Sequence, residues 1–400
     1  MRGGGQPEAR NRRDLVRRHA GAKQSGHRNR SNHRDDRDHD EQFDEGEPSV
    51  RAHEDLPHGL SIGGASTYGS PNQVSSIDNC GVPLAVRGPL AGQPPFDVVC
   101  FGENSLDFAA TGELRSLVSK QTLSDFSMQP GGQAATAAVG AARLGCRTRY
   151  VGVFGDDDFG RRVAGAFSAA GVDLVSIERT GVPSRIAVVL IDRQTGERRI
   201  LEHRDRQLTL GTEEVPLSAI CRGRVLMTDA TDLRASIHAA RAARAAGMDV
   251  VVDVDRVEDN VDELLTLATV VIVAEEFPAS LTGMASLEEA IDHLHRRFHP
   301  LLTVVTRGAG GSLARADAGR LETPAFAVRA VDTTGAGDAF RAGFVAAWLR
   351  LPAGTPLDTL MQYANAAGAL SCEATGAQAG LPDWAATEAL VTSSGVHQSK

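Results

Sequence analysis

The chain has 400 residues, 42% of them hydrophobic, and a formal net charge of −9, which suffices for one large domain or two modest ones with a sizeable core. The acidic balance argues against nucleic acid as a primary partner, and no apolar run approaches the roughly 20 residues that a membrane span needs. The five cysteines lie far apart without CxxC pairs, which argues against a disulfide framework or a zinc site and favours a reducing, cytoplasmic setting.

Residues 1–95 are predicted to be a disordered tail and linker. The first 58 residues carry twelve Lys/Arg and twelve Asp/Glu but few large apolar side chains, so they cannot bury enough surface to offset their ordering entropy. They also hold six of the twelve histidines. Adventitious metal binding, a targeting peptide and a start codon placed too early in the gene are the alternatives to a solvated, low-complexity segment.

From residue 96 the pattern changes to short apolar strands that alternate with Ala- and Leu-rich helical segments. The predicted strands are 97–102, 148–154, 225–228, 250–254, 270–273 and 302–306. The predicted helices are 133–144, 233–246, 261–267 and 287–298. This alternation predicts an α/β fold, a doubly wound, mostly parallel sheet with helices on both faces. Ligands of such sheets bind at the carboxyl ends of the strands.

One segment departs from this alternation. Residues 186–192 and 198–203 are strand-like and flank the turn sequence RQTG, which predicts a β-hairpin inserted between strands of the sheet.

Two motifs follow the first strand. Asp107, in the run FGENSLD, is either a ligand of two adjacent substrate hydroxyls or a solvated loop residue or helix cap. Gly131 and Gly132 precede the first predicted helix, in the run PGGQAATAA. Paired glycines there permit the close approach of a ligand or act as a hinge, and the small residues that follow also suit tight packing on the sheet.

Two glycine-rich motifs lie near the C-terminus. The run TRGAGG at 306–311 follows a strand, and alone it is weak evidence for a nucleotide loop. The run VDTTGAGDAF at 331–340 precedes an apolar segment with helical composition. A tight turn at a helix N-terminus attracts anions, and the carboxylate of Asp338 beside it suits a base that deprotonates a hydroxyl during phosphoryl transfer. An ordinary strand-to-helix turn is the alternative.

The run DTTGAGDAF resembles the C-terminal signature of the ribokinase (PfkB) family of sugar and nucleoside kinases. The run GGQAATAA resembles the N-terminal signature, in the form that ketose-type sugar kinases carry; many members have Asn at the positions of Gln133 and Thr136, so the departure concerns substrate identity. The resemblance covers residues 97–384. It implies a ribokinase-like kinase domain over 96–385, a small β-sheet lid over about 105–128 and 184–206 that often forms a dimer contact, and a flexible C-terminal tail over 386–400.

The resemblance also assigns roles to single residues. It implies that Asp338 is the catalytic base and that the backbone amides of Gly335, Ala336 and Gly337 form an anion hole. The implied sugar ligands are Asp107, Gly131, Gly132, Thr136 and Asp338. The implied ATP-binding residues are Thr306, Arg307, Gly308, Ala309, Gly310, Gly311, Gly337 and Asn365.

Two metal sites are implied in the same way. The ligands of a monovalent cation such as K⁺, mostly through carbonyl oxygens, are Asp332, Thr334, Ser371, Ala374, Gly376 and Gly380. The family's N-x-x-E motif for Mg²⁺ is altered, with Ala274 at the Asn position and Phe277 at the Glu position. Glu275 or Glu276 is expected to serve instead, because Mg²⁺ keeps several waters and needs few protein ligands.

The sequence therefore predicts an ATP-dependent kinase that phosphorylates a hydroxyl of a small sugar, expected to be a ketose. The run TDATD at 228–232 has two carboxylates and no cation, which favours a neutral sugar, while Arg185, His203 and Arg204 keep an anionic substrate open. The alternatives are a nucleoside kinase of the same family and a ligand-binding regulator with little turnover.

Overall fold

The structure is a computed structural model that describes residues 94–113, 122–192, 194 and 198–395. The predicted tail of residues 1–95 lies outside this part of the chain, apart from its last two residues. The strands are β1 Val98–Phe101, β2 Ser105–Gly112, β3 Asp125–Gly131, β4 Thr148–Gly155, β5 Asp173–Arg179, β6 Ile186–Asp192, β7 Arg198–His203, β8 Val225–Asp229, β9 Asp249–Val254, β10 Val270–Ala274, β11 Leu302–Thr306, β12 Ser312–Ala316 and β13 Gly319–Thr323.

The helices of the described part are α1 Gln133–Arg143, α2 Asp158–Ala169, α3 Leu217–Ile220, α4 Leu233–Ala245, α5 Val261–Leu267, α6 Glu276–Thr282, α7 Leu287–Phe298, α8 Ala336–Arg350, α9 Leu357–Ser371 and α10 Trp384–Gly395. None of these described helices is long and apolar enough to cross a membrane.

The main sheet has nine strands in the order β13-β12-β11-β10-β9-β8-β1-β4-β5. Every neighbouring pair from β11 to β5 is parallel, whereas β12 and β13 are antiparallel to their neighbours. All the strands and helices predicted for this sheet are present, with ends within about one residue of the prediction. The doubly wound, mostly parallel fold is therefore confirmed.

Each central strand enters two cores, because successive side chains of a strand point to opposite faces. In β1, Val98 and Cys100 pack against α1, α8 and α9 on one face, and Val99 and Phe101 pack in the core of α4, α5 and α7 on the other. All four side chains are buried. A fully buried Val or Phe contributes about 1.5 to 3 kcal/mol, so β1 is anchored from both sides.

Helix α8 is buried nearly all round, with every residue from 338 to 348 buried. It packs between α1 and α9, as expected of a helix that is apolar on all sides. This packing fixes the N-terminal end of α8, which carries the GAGD turn.

The smaller sheet, which we call the lid sheet, has the strand order β3-β2-β6-β7. The predicted hairpin is present, since β6 and β7 are antiparallel with Ile186 opposite His203; most of its turn lies outside the described residues. Strand β2 pairs in parallel with β6 and antiparallel with β3. Because β2 begins only four residues after β1 ends, the lid sheet stands at the carboxyl ends of the main strands. It extends to Gly131, past the predicted boundary at residue 128.

The predicted flexible tail over 386–400 is wrong for residues 386–395, which belong to α10. The ring of Trp384 stacks on Tyr363 of α9 with centroids 4.9 Å apart, and the guanidinium of Arg350 lies 4.4 Å from the Trp384 ring centre. Asp383 accepts a hydrogen bond from the Ala386 N–H at 2.8 Å, as an N-cap does. This cap was the available sequence signal for the helix.

Candidate active site

The GAGD turn places a helix N-terminus at the carboxyl edge of the main sheet. Gly335 caps α8 with φ 78°, a conformation that glycine adopts without strain, and a Cβ there would lie 2.7 Å from the carbonyl oxygen of Ala377. The Ala336 N–H donates to the Thr333 carbonyl at 3.3 Å. Within the described residues the N–H groups of Gly335 and Gly337 have no acceptor. Of the three amides in the predicted anion hole, those of Gly335 and Gly337 are therefore open to an anion in this structure.

Asp338 lies in the first turn of α8 with its side chain 11% exposed. Arg341, one turn further on, donates to the Asp338 carboxylate, and the same guanidinium contacts Asp253 in β9. Burial raises the pKa of Asp338 to about 6, and Arg341 opposes that rise. A carboxyl with a pKa near the working pH is suited to general base catalysis.

Sequence reasoning missed this guanidinium. The spacing of Asp338 and Arg341, three residues apart on a helix, was a usable signal. The contact with Asp253 was not, because no local pattern links residues 88 positions apart.

Asp107 faces the same space from the lid strand β2. Its carboxylate accepts a hydrogen bond from the Ser105 hydroxyl at 2.6 Å, and burial raises its pKa to about 6. A Cβ on Gly131 would lie 2.0 Å from Asp107 Oδ2, so only glycine at 131 leaves room for this carboxylate. Gly132 caps α1 with φ 93°.

A cavity of about 830 Å³ lies between the lid sheet and the strand ends. The predicted sugar ligands Asp107, Gly132 and Asp338 line it, together with Gln133. Thr136 does not line this cavity. Its side chain is fully buried in α1. The role of Thr136 as a sugar ligand remains a prediction, and Gln133 provides a polar group at this wall.

A second cavity, of about 430 Å³, opens on the other side of the GAGD turn. Six predicted nucleotide-binding residues line it: Thr306, Gly308, Ala309, Gly311, Gly337 and Asn365. Arg307 instead lines the larger cavity and pairs with Glu322 at 2.6 Å, and Gly310 lines neither. Residues 325–328 and Phe340 also contribute to its wall; the run AFAV at 325–328 carried no motif that identified it.

The two cavities share one wall. Thr333, Ala336 and Gly337 line both of them, while Asp338 faces the larger one. A group in either cavity therefore approaches the open amides of the same turn.

Five of the six residues predicted to hold a monovalent cation make close contacts with one another beside this turn. Asp332 Oδ1 accepts hydrogen bonds from the Thr334 N–H at 2.9 Å and hydroxyl at 2.7 Å, and Oδ2 accepts one from the Gly376 N–H at 2.8 Å. A Cβ on Gly380 would lie 2.2 Å from the Ser371 carbonyl oxygen. This close backbone approach suits a carbonyl-lined cation site, in which the Asp332 carboxylate ties two segments together.

The possible magnesium ligands Glu275 and Glu276 are exposed and line the larger cavity. Within the described ranges, no three His, Cys, Asp or Glu side chains are grouped to hold a metal ion. These residues fit an ion that keeps most of its water.

Two of the three lid cations that kept an anionic substrate open, Arg185 and Arg204, are paired with carboxylates. Arg185 pairs with Glu103 and with Glu202, each at 3.1 Å, and Arg204 pairs with Asp232 at 2.6 Å. Their charges are therefore committed to protein carboxylates.

Comparison with known proteins agrees with this geometry. Residues 96–384 match the pfkB family of carbohydrate kinases. Over 276 residues the chain is 33% identical to a fructokinase of Klebsiella pneumoniae, covering 63% of this chain and 89% of that protein.

Two solved structures share the fold. A fructokinase from Xylella fastidiosa with bound ATP superposes with a TM-score of 0.64 at 23% identity, covering 75% of this chain and 99% of that one. A ribokinase from Arabidopsis thaliana, complexed with ribose and ATP, superposes with a TM-score of 0.63 at 23% identity, covering 74% and 98%. The chain belongs to the pfkB family of carbohydrate kinases and is an ATP-dependent sugar kinase with a ribokinase-like fold.

Proposed function

We propose that the enzyme transfers the γ-phosphoryl group of ATP to a hydroxyl of a small neutral sugar, with Asp338 as the general base. The observation that carries this proposal is the shared wall of the two cavities. ATP in the smaller cavity and a sugar in the larger one meet at the GAGD turn, where the open amides and the carboxylate of Asp338 lie side by side.

The transfer is a single displacement. Asp338 takes the proton of the sugar hydroxyl, and the hydroxyl oxygen forms a bond to the γ-phosphorus. The bond from that phosphorus to the β,γ-bridging oxygen breaks, and ADP leaves with the electron pair. The N–H groups of Gly335 and Gly337 stabilise the charge on the transferring group, which is the main protein contribution in reactions of this kind.

The ions would act around these residues. Mg²⁺, when bound with ATP, neutralises charge on the phosphates, and Glu275 and Glu276 would hold its waters. K⁺ would lie among the carbonyl groups beside Asp332 and keep the GAGD turn in position without touching substrate.

The proposed acceptor is a ketose. The pairing of Arg185 and Arg204 with carboxylates favours an uncharged substrate, and the carboxylate of Asp107, which accepts a hydrogen bond from Ser105, would accept hydrogen bonds from sugar hydroxyls. The relatives named fructokinase add weight to a ketose.

The test is ADP release by the full chain with ATP and a panel of hexoses, pentoses and nucleosides. A ketose such as fructose is expected to give the highest kcat/KM. Asp338→Asn is expected to lower kcat by about 10²- to 10⁴-fold, the usual contribution of a general base, while sugar binding persists. Preference for a nucleoside would overturn the proposed acceptor, and unchanged turnover in Asp338→Asn would overturn the proposed base.

The enzyme is also proposed to form a homodimer through the outer face of the lid sheet and to work in the cytoplasm. The apolar exposure of Phe126 (52%) and Leu201 (60%) supports the first. The free thiols of Cys100, Cys146 and Cys372, all buried, suit a reducing compartment.

A further inference from the structure

A contact links the lid sheet to the GAGD turn. Arg198, the first residue of β7, donates a hydrogen bond to the Thr333 hydroxyl, 135 positions further along the chain. Arg198 pairs across the hairpin with Ile191 and lines the larger cavity. Thr333 lines both cavities. The guanidinium of Arg198 therefore lies where the two cavities meet.

Within the part of the chain that the structure describes, this guanidinium has no carboxylate partner. Four arginines line the larger cavity. Arg256 pairs with Glu202 at 3.2 Å and Arg307 pairs with Glu322 at 2.6 Å. Arg341 is bound by two carboxylates. Arg198 alone has no carboxylate partner among the described residues.

A neutral hydroxyl is a weak partner for a guanidinium. Hydrogen bonds from Arg to phosphate oxygens are charge-assisted and roughly twice as strong as neutral ones, and they are often bidentate. The Thr333 hydroxyl lies next to the turn whose amides face the transferring group. Arg198, Gly335 and Gly337 line the same cavity, so an anionic oxygen held by those amides would be a stronger partner for this guanidinium than the Thr333 hydroxyl.

We infer that Arg198 is a catalytic residue that binds the γ-phosphoryl group of ATP from the lid. This inference rests on the proposed function. In the ground state Arg198 exchanges the Thr333 hydroxyl for a γ-phosphate oxygen, and it stays on the phosphoryl group while that group passes to the sugar oxygen. Asp338 takes the sugar proton as before, so Arg198 exchanges no proton and forms no covalent bond.

Loss of Arg198 is expected to affect the affinity for ATP but not the affinity for ADP, because only ATP has the γ-phosphoryl group. Nucleotide affinity is measured by calorimetry on the full chain with Mg²⁺ and without sugar. Arg198→Met is expected to weaken ATP binding by about tenfold or more and to leave ADP binding within about twofold. Arg198→Lys keeps the positive charge but loses the paired N–H donors of the guanidinium. This variant is expected to retain part of the difference between ATP and ADP affinity.

Arg199 provides a matched control. It follows Arg198 in the same strand and is also exposed, but consecutive strand residues point to opposite faces of the sheet. Arg199→Met removes the same charge on the outer face and is expected to leave both affinities unchanged. Thermal unfolding of both variants near the wild-type temperature shows that the lid sheet is intact.

The inference is overturned if Arg198→Met weakens ATP and ADP equally, or neither. It is also overturned if the variant instead weakens sugar binding alone, which would place Arg198 on the acceptor. Turnover by the wild-type enzyme with the sugar panel tests the proposed function separately, so failure of one is distinguishable from failure of the other.

Discussion

At the residue scale, the guanidinium of Arg341 affects both the ionisation and the orientation of the proposed base, Asp338. Arg341 lies between Asp338 and Asp253, and all three side chains are buried. Asp229 and Asp107 add negative charge nearby and raise the pKa of Asp338 further. Two carboxylates that share one cation do not ionise independently. Arg341 is therefore a positioning residue that keeps Asp338 ionised and oriented.

The first prediction concerns pH. Burial raises the pKa of Asp338 to about 6, and a base acts only when ionised, so kcat/KM is expected to fall as pH decreases through about 6. Arg341→Met removes the cation that favours the ionised form, so this acid limb is expected to move to higher pH. The measurement is kcat/KM across pH 5 to 9.

A second carboxyl contributes to this profile, because burial also raises the pKa of Asp107 to about 6. The acid limb of the kcat/KM profile that remains in the Asp107→Asn variant is assigned to Asp338. Arg350→Met removes an arginine from the other end of α8 and is expected to lower stability without moving the limb. An acid limb that stays in place in Arg341→Met contradicts the positioning role.

The second prediction concerns Gly131. A Cβ at this position would lie 2.0 Å from Asp107 Oδ2, so Gly131→Ala is expected to displace that carboxylate and raise the KM for sugar by tenfold or more, a loss on the order of 1.4 kcal/mol. The affinity for ATP is expected to stay unchanged. Steady-state kinetics with each substrate varied in turn measures both effects.

The control is Gly165→Ala, in the interior of α2, where a new Cβ meets nothing within 4 Å. That change is expected to stabilise the protein by about 0.5 to 1 kcal/mol and to leave both KM values as they are. An unchanged KM for sugar in the Gly131→Ala variant would contradict the proposal that Asp107 binds the sugar.

At the element scale, the lid sheet has an inner face that lines the larger cavity and an outer face that carries a row of apolar side chains. Met128, Phe108, Val188 and Leu201 lie in one row across its four strands, on the outer face. Phe159 of α2 covers part of this row, with ring centroids 5.5 Å from Phe108. Leu201 is left 60% exposed at the far edge. Phe126, Met128 and Phe159 are also exposed on this side of the sheet, and exposed apolar side chains grouped in this way are typical of an association surface.

The third prediction follows from this row. The wild-type protein is expected to be a dimer by light scattering after size-exclusion chromatography, and Leu201→Asp is expected to be a monomer. Ile200→Asp, one residue earlier, changes the inner face, since Ile200 lines the larger cavity. It is expected to impair sugar turnover and leave the dimer intact. A monomeric wild-type protein would rule out the proposed dimer.

At the scale of the whole molecule, the main sheet was predictable because its strands are short β-branched runs and its helices are long and Ala-rich. Helix α10 was not predicted, although its cap, Asp383, precedes the apolar run that forms it. The glycine motifs located both cavities. The pairs that set their electrostatics, Arg341 with Asp253 and Arg198 with Thr333, join residues remote in sequence, and no local pattern predicts such contacts.

The fourth prediction concerns the first part of the chain. Residues 1–93 lie outside the described part, and the predicted disordered tail remains a prediction. Removal of residues 1–90 is expected to leave kcat, KM and the unfolding temperature unchanged, because the low apolar content of the segment gives it little to pack with. A marked change in kcat, KM or the unfolding temperature would refute the prediction that this segment is a disordered tail.

The wall that the two cavities share has a stereochemical consequence. In the proposed single displacement, donor and acceptor meet across one turn, and the phosphorus is attacked once, in line with the departing ADP. A γ-phosphoryl group made chiral with oxygen isotopes and sulfur would therefore emerge with inverted configuration. Retention would require a second displacement and a phosphorylated side chain.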